Sequence, residues 1–244
     1  RLPIWLPPFL AAPFIGSFLG VLIQRLPEQR PLVISRSACL SCESPLGIRD
    51  LVPIASYLVL RGRCRTCGAP IGPFHLRVEI LAVFVPACAA LVESDAARLW
   101  VDCMLGWTLL TLAWIDMRHL LLPDPITLPL VVAGLLVTWW FEPDQIIDHA
   151  LGAVVGYLFF RAVAVGYRVL RGREGLGAGD AKLLAAAGAW VGWAALPAVV
   201  LAAALLGIAI AAMGTLRGGS LHAAMTLPFG PALALAFWIV RLMG

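Results

Sequence analysis

Stretches of apolar residues, each about long enough to cross a bilayer, follow one another along almost the whole chain, and one long polar segment, residues 24–77, interrupts them. A helix needs roughly 20 such residues to span the hydrocarbon core, and only helices or closed barrels leave no backbone polar group unsatisfied there. The runs are continuous rather than alternating, which is the pattern of helices and not of barrel strands. Of the 244 residues, 61% are hydrophobic and only 13% charged, about half the charged fraction of a soluble domain. The expectation is an all-α polytopic membrane protein with about eight transmembrane helices. They fall near 4–23, 78–93, 99–116, 125–141, 149–167, 181–196, 198–216 and 223–240. No small-residue cleavage site follows the first span, so a removable signal peptide is not expected.

Charge orients these spans. In residues 24–77 eight arginines face Glu28, Glu43 and Asp50, a net charge of +5. A basic stripe can signal nucleic acid, but in a membrane chain it marks a loop retained in the cytoplasm, and no nucleic-acid partner is expected. With that loop inside, alternation also places Arg118, Arg168, Arg171, Arg173 and Arg217 inside, and leaves only Arg98 in an outer loop. Asp116 and Asp180 then come to the same, cytoplasmic, side.

The loop carries "CLSC" and "CRTC": Cys39, Cys42, Cys64 and Cys67, with 21 residues between the inner pair. Two C-x-x-C knuckles at that separation suit a structural zinc ribbon, and a reducing compartment disfavours disulfides. Four thiolates fill a tetrahedral site, so such a zinc would organise the loop and leave no position for chemistry. Gly68 would ease the turn around the metal. Cys88 and Cys103 lie in apolar spans and read as small core residues.

Charged groups in or at the ends of membrane helices are costly, and function is the default reading for them. The acids in question are Glu79, Asp102, Asp116, Asp124, Asp148 and Asp180. Asp124, before Pro125, reads as a helix N-cap; Asp102 and Asp148 lie near outer span ends, within reach of water. Asp116 ends the run "MLGWTLLTLAWID" and is followed at once by "HLLLP", which holds it at the membrane boundary. Asp180 stands in "GLGAGDAKLL", after Gly177 and Gly179, which leave backbone room for a substrate. Two carboxylates across a water would form an acid/base pair for peptide hydrolysis, titrating as a unit. Asp180 could instead be a helix cap, while a phosphate loop is disfavoured because Lys182 lacks the full motif and no strand precedes it. A membrane scaffold that docks a partner through the zinc loop, and a transporter with a proton relay, also remain open. Helix direction favours a carboxylate at an N-terminus over one at a C-terminus by roughly 0.3 to 1 kcal/mol. That argument makes Asp180 the ionised base and Asp116 the protonated acid.

Taken in order, "GSFLGVLIQRLP", the two knuckles, "RGRCRTCGAPI", "IDMRHLLLPD" and "GAGDAKLL" resemble the type IV prepilin peptidases, membrane aspartic proteases of the GxGD type. The resemblance implies removal of the leader of prepilins or pseudopilins after a glycine at the cytoplasmic face of the bacterial inner membrane. It also implies N-methylation of the new terminus with S-adenosylmethionine, in type IV pilus assembly or type II secretion. The substrates it implies carry a basic leader and an apolar N-terminal helix. It places the catalytic aspartates on Asp116 and Asp180, zinc ligands on Cys39, Cys42, Cys64 and Cys67, and Gly177, Gly179 and Lys182 beside the active site. Three departures stand in the N-terminal part: Gly20 where the family has asparagine, Ser41 where it has proline, and "HLRVE" where it often has Y-P-x-V-E. The domain limits expected are a first transmembrane helix at 1–23, a zinc-binding loop domain at 24–77, and a peptidase core at 78–244.

Overall fold

The computed structural model describes residues 3–31, 37–39, 41–172, 176–216 and 228–244. The described residues are helical, with α1 at Leu6–Arg25, the short α2 at Ala55–Val59, and α3 at Phe74–Ala89. They continue with α4 at Ala96–His119, α5 at Asp124–Phe141, α6 at Ile146–Arg171, α7 at Ala178–Leu216 and α8 at Gly230–Met243. The chain forms two compact units, Arg1–Thr111 and Leu112–Gly244, which divide within α4.

Helices α1, α4, α5, α6 and α7 are long and apolar enough to cross a membrane. The sixteen residues of α3 and fourteen of α8 fall short of the roughly 20 needed. The expected last span, 223–240, lies partly outside the described residues. Among the described residues five helices meet that length, against the eight spans expected.

In the first unit α1 turns Leu10, Phe14 and Phe18 outward at a helical spacing, while Ala12, Gly16, Leu19, Gly20 and Ile23 are buried. Backbone contact needs small residues here. A Cβ on Gly16 would lie 2.7 Å from Glu79 Cα and 2.9 Å from Ala82 Cβ, so α1 and α3 meet almost without side chains between them. Trp107 of α4 closes the other side of α3 by donating its indole N–H to the Ala82 carbonyl at 2.8 Å.

The second unit repeats this device. A Cβ on Gly188 of α7 would fall 2.1 Å from the Gly152 carbonyl oxygen of α6, and one on Gly156 would fall 2.7 Å from that of Leu184. On the α5 side, Trp190 lies over Gly134 and donates to the Leu130 carbonyl at 2.8 Å. Small residues let helix backbones approach closely, and packing rather than water release then holds them together.

The two spans expected at 181–196 and 198–216 are two helical segments within Ala178–Leu216, and the break between them falls at Gly192 (φ 74°, ψ 169°), a few residues before the expected boundary. Such a positive φ favours glycine. The reason is tertiary: the imidazole Nδ1 of buried His149 reaches the Ala189 carbonyl at 3.0 Å and Thr138 Oγ1 at 2.8 Å, with the ring beside Gly192. A side chain on α6 thus satisfies the backbone that the break in α7 releases. The end of α6 follows local rules: Gly172 is left-handed (φ 66°) and its N–H bonds to the Arg168 carbonyl at 2.9 Å.

Two expectations for acids change. Asp102 does not reach water, being 4% exposed. Asp124 makes no side-chain cap on α5; it pairs with Lys182 of α7. Asp148 is exposed, as expected, and accepts the Trp193 indole N–H at 3.2 Å.

The glycine contacts yield a test. Gly188→Ala, which must push two helices apart, is expected to cost about 1–3 kcal/mol or more. Gly214→Ala, whose Cβ would meet nothing within 4 Å, should leave stability within about 0.5 kcal/mol. Thermal unfolding of the two purified variants in one detergent checks both.

Candidate active site and metal cluster

Asp116 lies one turn before the end of α4. Past His119 the helix stops at Leu120, which takes φ 50° while donating its N–H to the Asp116 carbonyl at 2.9 Å. This left-handed stop, costing a non-glycine residue roughly 1–2 kcal/mol, turns "LLP" back toward α7. There Leu122 covers Gly179, with its Cβ 2.8 Å from where a Gly179 Cβ would stand. The Asp116 side chain is 6% exposed, and its Oδ2 accepts the Gly230 N–H at 3.0 Å. Gly230 opens α8, so Asp116 takes up a donor that has no partner within that helix. A Cβ on Gly230 would lie 2.6 Å from Asp116 Oδ2, and only glycine leaves the carboxylate its place.

Asp180, 8% exposed, is the third residue of α7. Its Oδ2 accepts the Gly177 N–H at 3.3 Å. The side chain thus reaches back to the residue before the helix, the acidic half of a capping box. Asp180 also lies within electrostatic reach of Asp116. Two buried carboxylates, 64 positions apart in sequence, therefore share one locus within the second unit. Each is held by a backbone N–H at a helix N-terminus. The helix-direction argument for telling acid from base loses its asymmetry, because Asp116 faces the favourable end of α8 while closing α4.

The neighbours expected beside the pair divide. Gly177 supplies the N–H to Asp180. Gly179 is covered by Leu122 of the α4–α5 connection, where open room for a peptide was expected. Lys182 points its ammonium to Asp124 of α5. Gly230 was missed by sequence reasoning; its signal was the G-P pair ahead of an apolar run, which marks a helix start.

The four cysteine sulfurs of the loop lie within 4.8 Å of one another. Cys39 Sγ and Cys67 Sγ are 3.9 Å apart, close to the about 3.8 Å edge of a tetrahedron with 2.3 Å metal–sulfur bonds. The cluster can hold a metal ion. Both knuckles are built alike. Cys39 N–H bonds to the Ser44 carbonyl and Glu43 N–H to the Cys39 carbonyl; Cys64 N–H bonds to Ala69 and Gly68 N–H to Cys64. The backbone N–H groups of Cys67 and Thr66 point at the Cys64 sulfur and lower its thiol to about 6, and those of Ser41 and Cys42 lower Cys39 likewise. Lowered thiols give up their protons to a metal more readily, whereas at Cys42 the Ser44 backbone N–H is outweighed by burial and the neighbouring sulfurs, which push the thiol up to about 11. The fourth residue after each leading cysteine is left-handed, Gly68 with φ 70° and Glu43 with φ 56°. Outside the cluster, Arg65 donates to Asp50 at 2.7 Å and holds that carboxyl below its usual range.

Apolar helices with two buried carboxylates in one unit, and a loop with a four-cysteine cluster in the other, define a polytopic helical chain with a candidate metal site. Residues 103–212 match the family model described as the Type IV leader peptidase family, and residues 10–92 that of the Bacterial Peptidase A24 N-terminal domain. The chain is 37% identical over 260 residues to a prepilin leader peptidase/N-methyltransferase of Aeromonas hydrophila, covering 97% of this chain and 89% of the relative. It is 42% identical over 254 residues to one from Burkholderia pseudomallei, covering 90% and 79%, and 35% identical over 253 residues to one from Pseudomonas aeruginosa, covering 94% and 87%. The chain belongs to the type IV leader peptidase family. No solved structure matches it significantly.

The knuckle geometry predicts that Glu43→Gly, which relieves a left-handed non-glycine residue, stabilises the loop by up to about 1 kcal/mol. Chelator challenge should then strip metal from the variant more slowly than from the parent protein.

Proposed function

We propose that this protein removes the leader peptide of type IV prepilins or pseudopilins after a glycine, at the cytoplasmic face of the bacterial inner membrane. It then N-methylates the new terminus with S-adenosylmethionine as methyl donor. The observation that carries the peptidase half is the buried pair, Asp116 and Asp180. One carboxylate takes a proton from an attacking water while the other donates one to the scissile carbonyl oxygen, and the bond to the leaving amine then breaks. Burial removes competing water and strengthens each contact with the reacting atoms. The backbone donors from Gly230 and Gly177 fix the two carboxyl groups, so little reorganisation is needed as charge develops.

The relatives' names support the methyl-transfer half, and the match of the chain to both family models supports the peptidase half. Zinc is the metal that the donor set fits best: four thiolates, tetrahedral spacing and no open position. In this reading Cys39, Cys42, Cys64 and Cys67 hold it, and it braces the loop between α1 and α3. Residues 24–77 form the zinc-binding loop domain and 78–244 the peptidase core. The substrate meets Asp116 and Asp180 from the cytoplasm, on the side that the arginine bias marks. Its basic leader stays in water and its apolar segment lies among the helices. Pilus assembly and type II secretion both use such substrates.

Asp116→Asn and Asp180→Asn are each expected to abolish leader cleavage, by a factor of at least about 10³, with thermal unfolding unchanged. Intact mass of a prepilin incubated with each variant is the readout, and wild-type cleavage by either would assign the chemistry to other groups. One zinc per chain is expected by elemental analysis, and its loss when Cys64 and Cys67 become serine.

A further inference from the structure

The peptidase family model spans 103–212 and holds both aspartates of the pair. Among the described residues outside that stretch, the buried acids are Glu79 and Asp102. Glu79 does not stand alone. It lies on α3, 6% exposed, against the glycine face of α1. Its Oε2 accepts the Ile54 N–H at 2.7 Å, and its carboxylate also takes a hydrogen bond from the Ser17 side chain of α1. Ile54 pays for that bond with φ 60° and ψ −55°, an outlier for a β-branched residue. Strain held this way in a defined place points to a functional site.

One turn before Glu79 on the same face of α3 stands half-buried His75. Its imidazole fills the space over Gly20: a Cβ there would lie 2.5 Å from His75 Nδ1. Gly20 is thus what allows the ring to sit between α1 and α3. The result is a buried carboxylate, a hydroxyl and an imidazole, walled by the apolar faces of two helices.

We propose that Ser17, Gly20, His75 and Glu79 seat the substrate's new N-terminal amine for methylation. Glu79 is the counter-charge and His75 receives the proton. This rests on the reading that the chain methylates what it cleaves. An ammonium offers a positive charge and three N–H donors, and a buried carboxylate accepts both. Before attack the ammonium passes one proton to the imidazole, the side chain whose ordinary pKa is nearest neutrality. The freed nitrogen lone pair forms a bond to the donor's methyl carbon. The carbon–sulfur bond breaks with its electron pair going to sulfur, so the sulfonium becomes a neutral thioether and the amine becomes a secondary ammonium.

Glu79→Gln keeps an oxygen to accept the Ile54 N–H and removes only the charge. Binding is measured with the purified full chain, without a methyl donor, using the processed substrate's N-terminal peptide with a free amine and the same peptide N-acetylated. The wild type should prefer the free amine by about tenfold or more, and Glu79→Gln should lose that preference. With prepilin and methyl donor present, Glu79→Gln, His75→Asn and Gly20→Ala should each cleave at the wild-type rate and retain zinc while methylating at least about tenfold more slowly. An undiminished preference in Glu79→Gln, or full methylation by His75→Asn, would overturn the proposal. A wild type that cleaves and never methylates would instead refute the functional reading beneath it.

Discussion

A carboxylate buried among apolar helices must be given hydrogen-bond donors by the protein, because no water or lipid will supply them. Asp116 takes its donor from Gly230, 114 residues further along the chain. That bond requires α8 to begin beside the end of α4, and it requires a glycine at the helix start. Asp180 is served locally, by Gly177 three residues before it. Bringing the two together depends on the α4–α5 connection, where Leu120 reverses the chain and Leu122 seats against Gly179.

The helix framework can hold that arrangement because its backbones touch. Gly152, Gly156 and Gly188 put α6 and α7 in direct contact, and Trp190 locks α5 onto α7 through a carbonyl. The break at Gly192 closes this section, its backbone still against Gly152, and the first half of α7, which carries Asp180, is the more buried half. In the first unit the same economy of side chains at Gly16 and Gly20 brings α1 and α3 close enough to enclose Glu79. Glycine contact thus fixes the helices, and the acids use the recesses that result.

Features governed by spacing were legible in the sequence. The two knuckles needed only their cysteine intervals, and the five longest helices only their apolar length. Asp116 and Asp180 could be paired because charge bias placed both at one membrane face. What escaped were properties set by partners far along the chain. Asp102 looked able to reach water from its position near a span end, but packing buries it. Asp124 looked like a cap because proline follows it, yet the stronger partner was the Lys182 ammonium on another helix. The expected spans 181–196 and 198–216 put the boundary near residue 197; it falls at Gly192, where His149 can satisfy the released carbonyl. A proline is tolerated in a membrane helix when neighbours repair its missing bond. Gly230 was missed, and although its G-P pair signals a helix start, nothing local signals its role toward Asp116.

The central claim is that Asp116 and Asp180 activate water and form no covalent intermediate with the substrate. Cleavage of a prepilin in 18O-enriched water containing hydroxylamine tests it most directly, with the released leader analysed by mass. The account predicts a leader whose new C-terminal carboxyl carries solvent 18O and no hydroxamate. A leader ending in a hydroxamate would reveal an acyl-enzyme and contradict it.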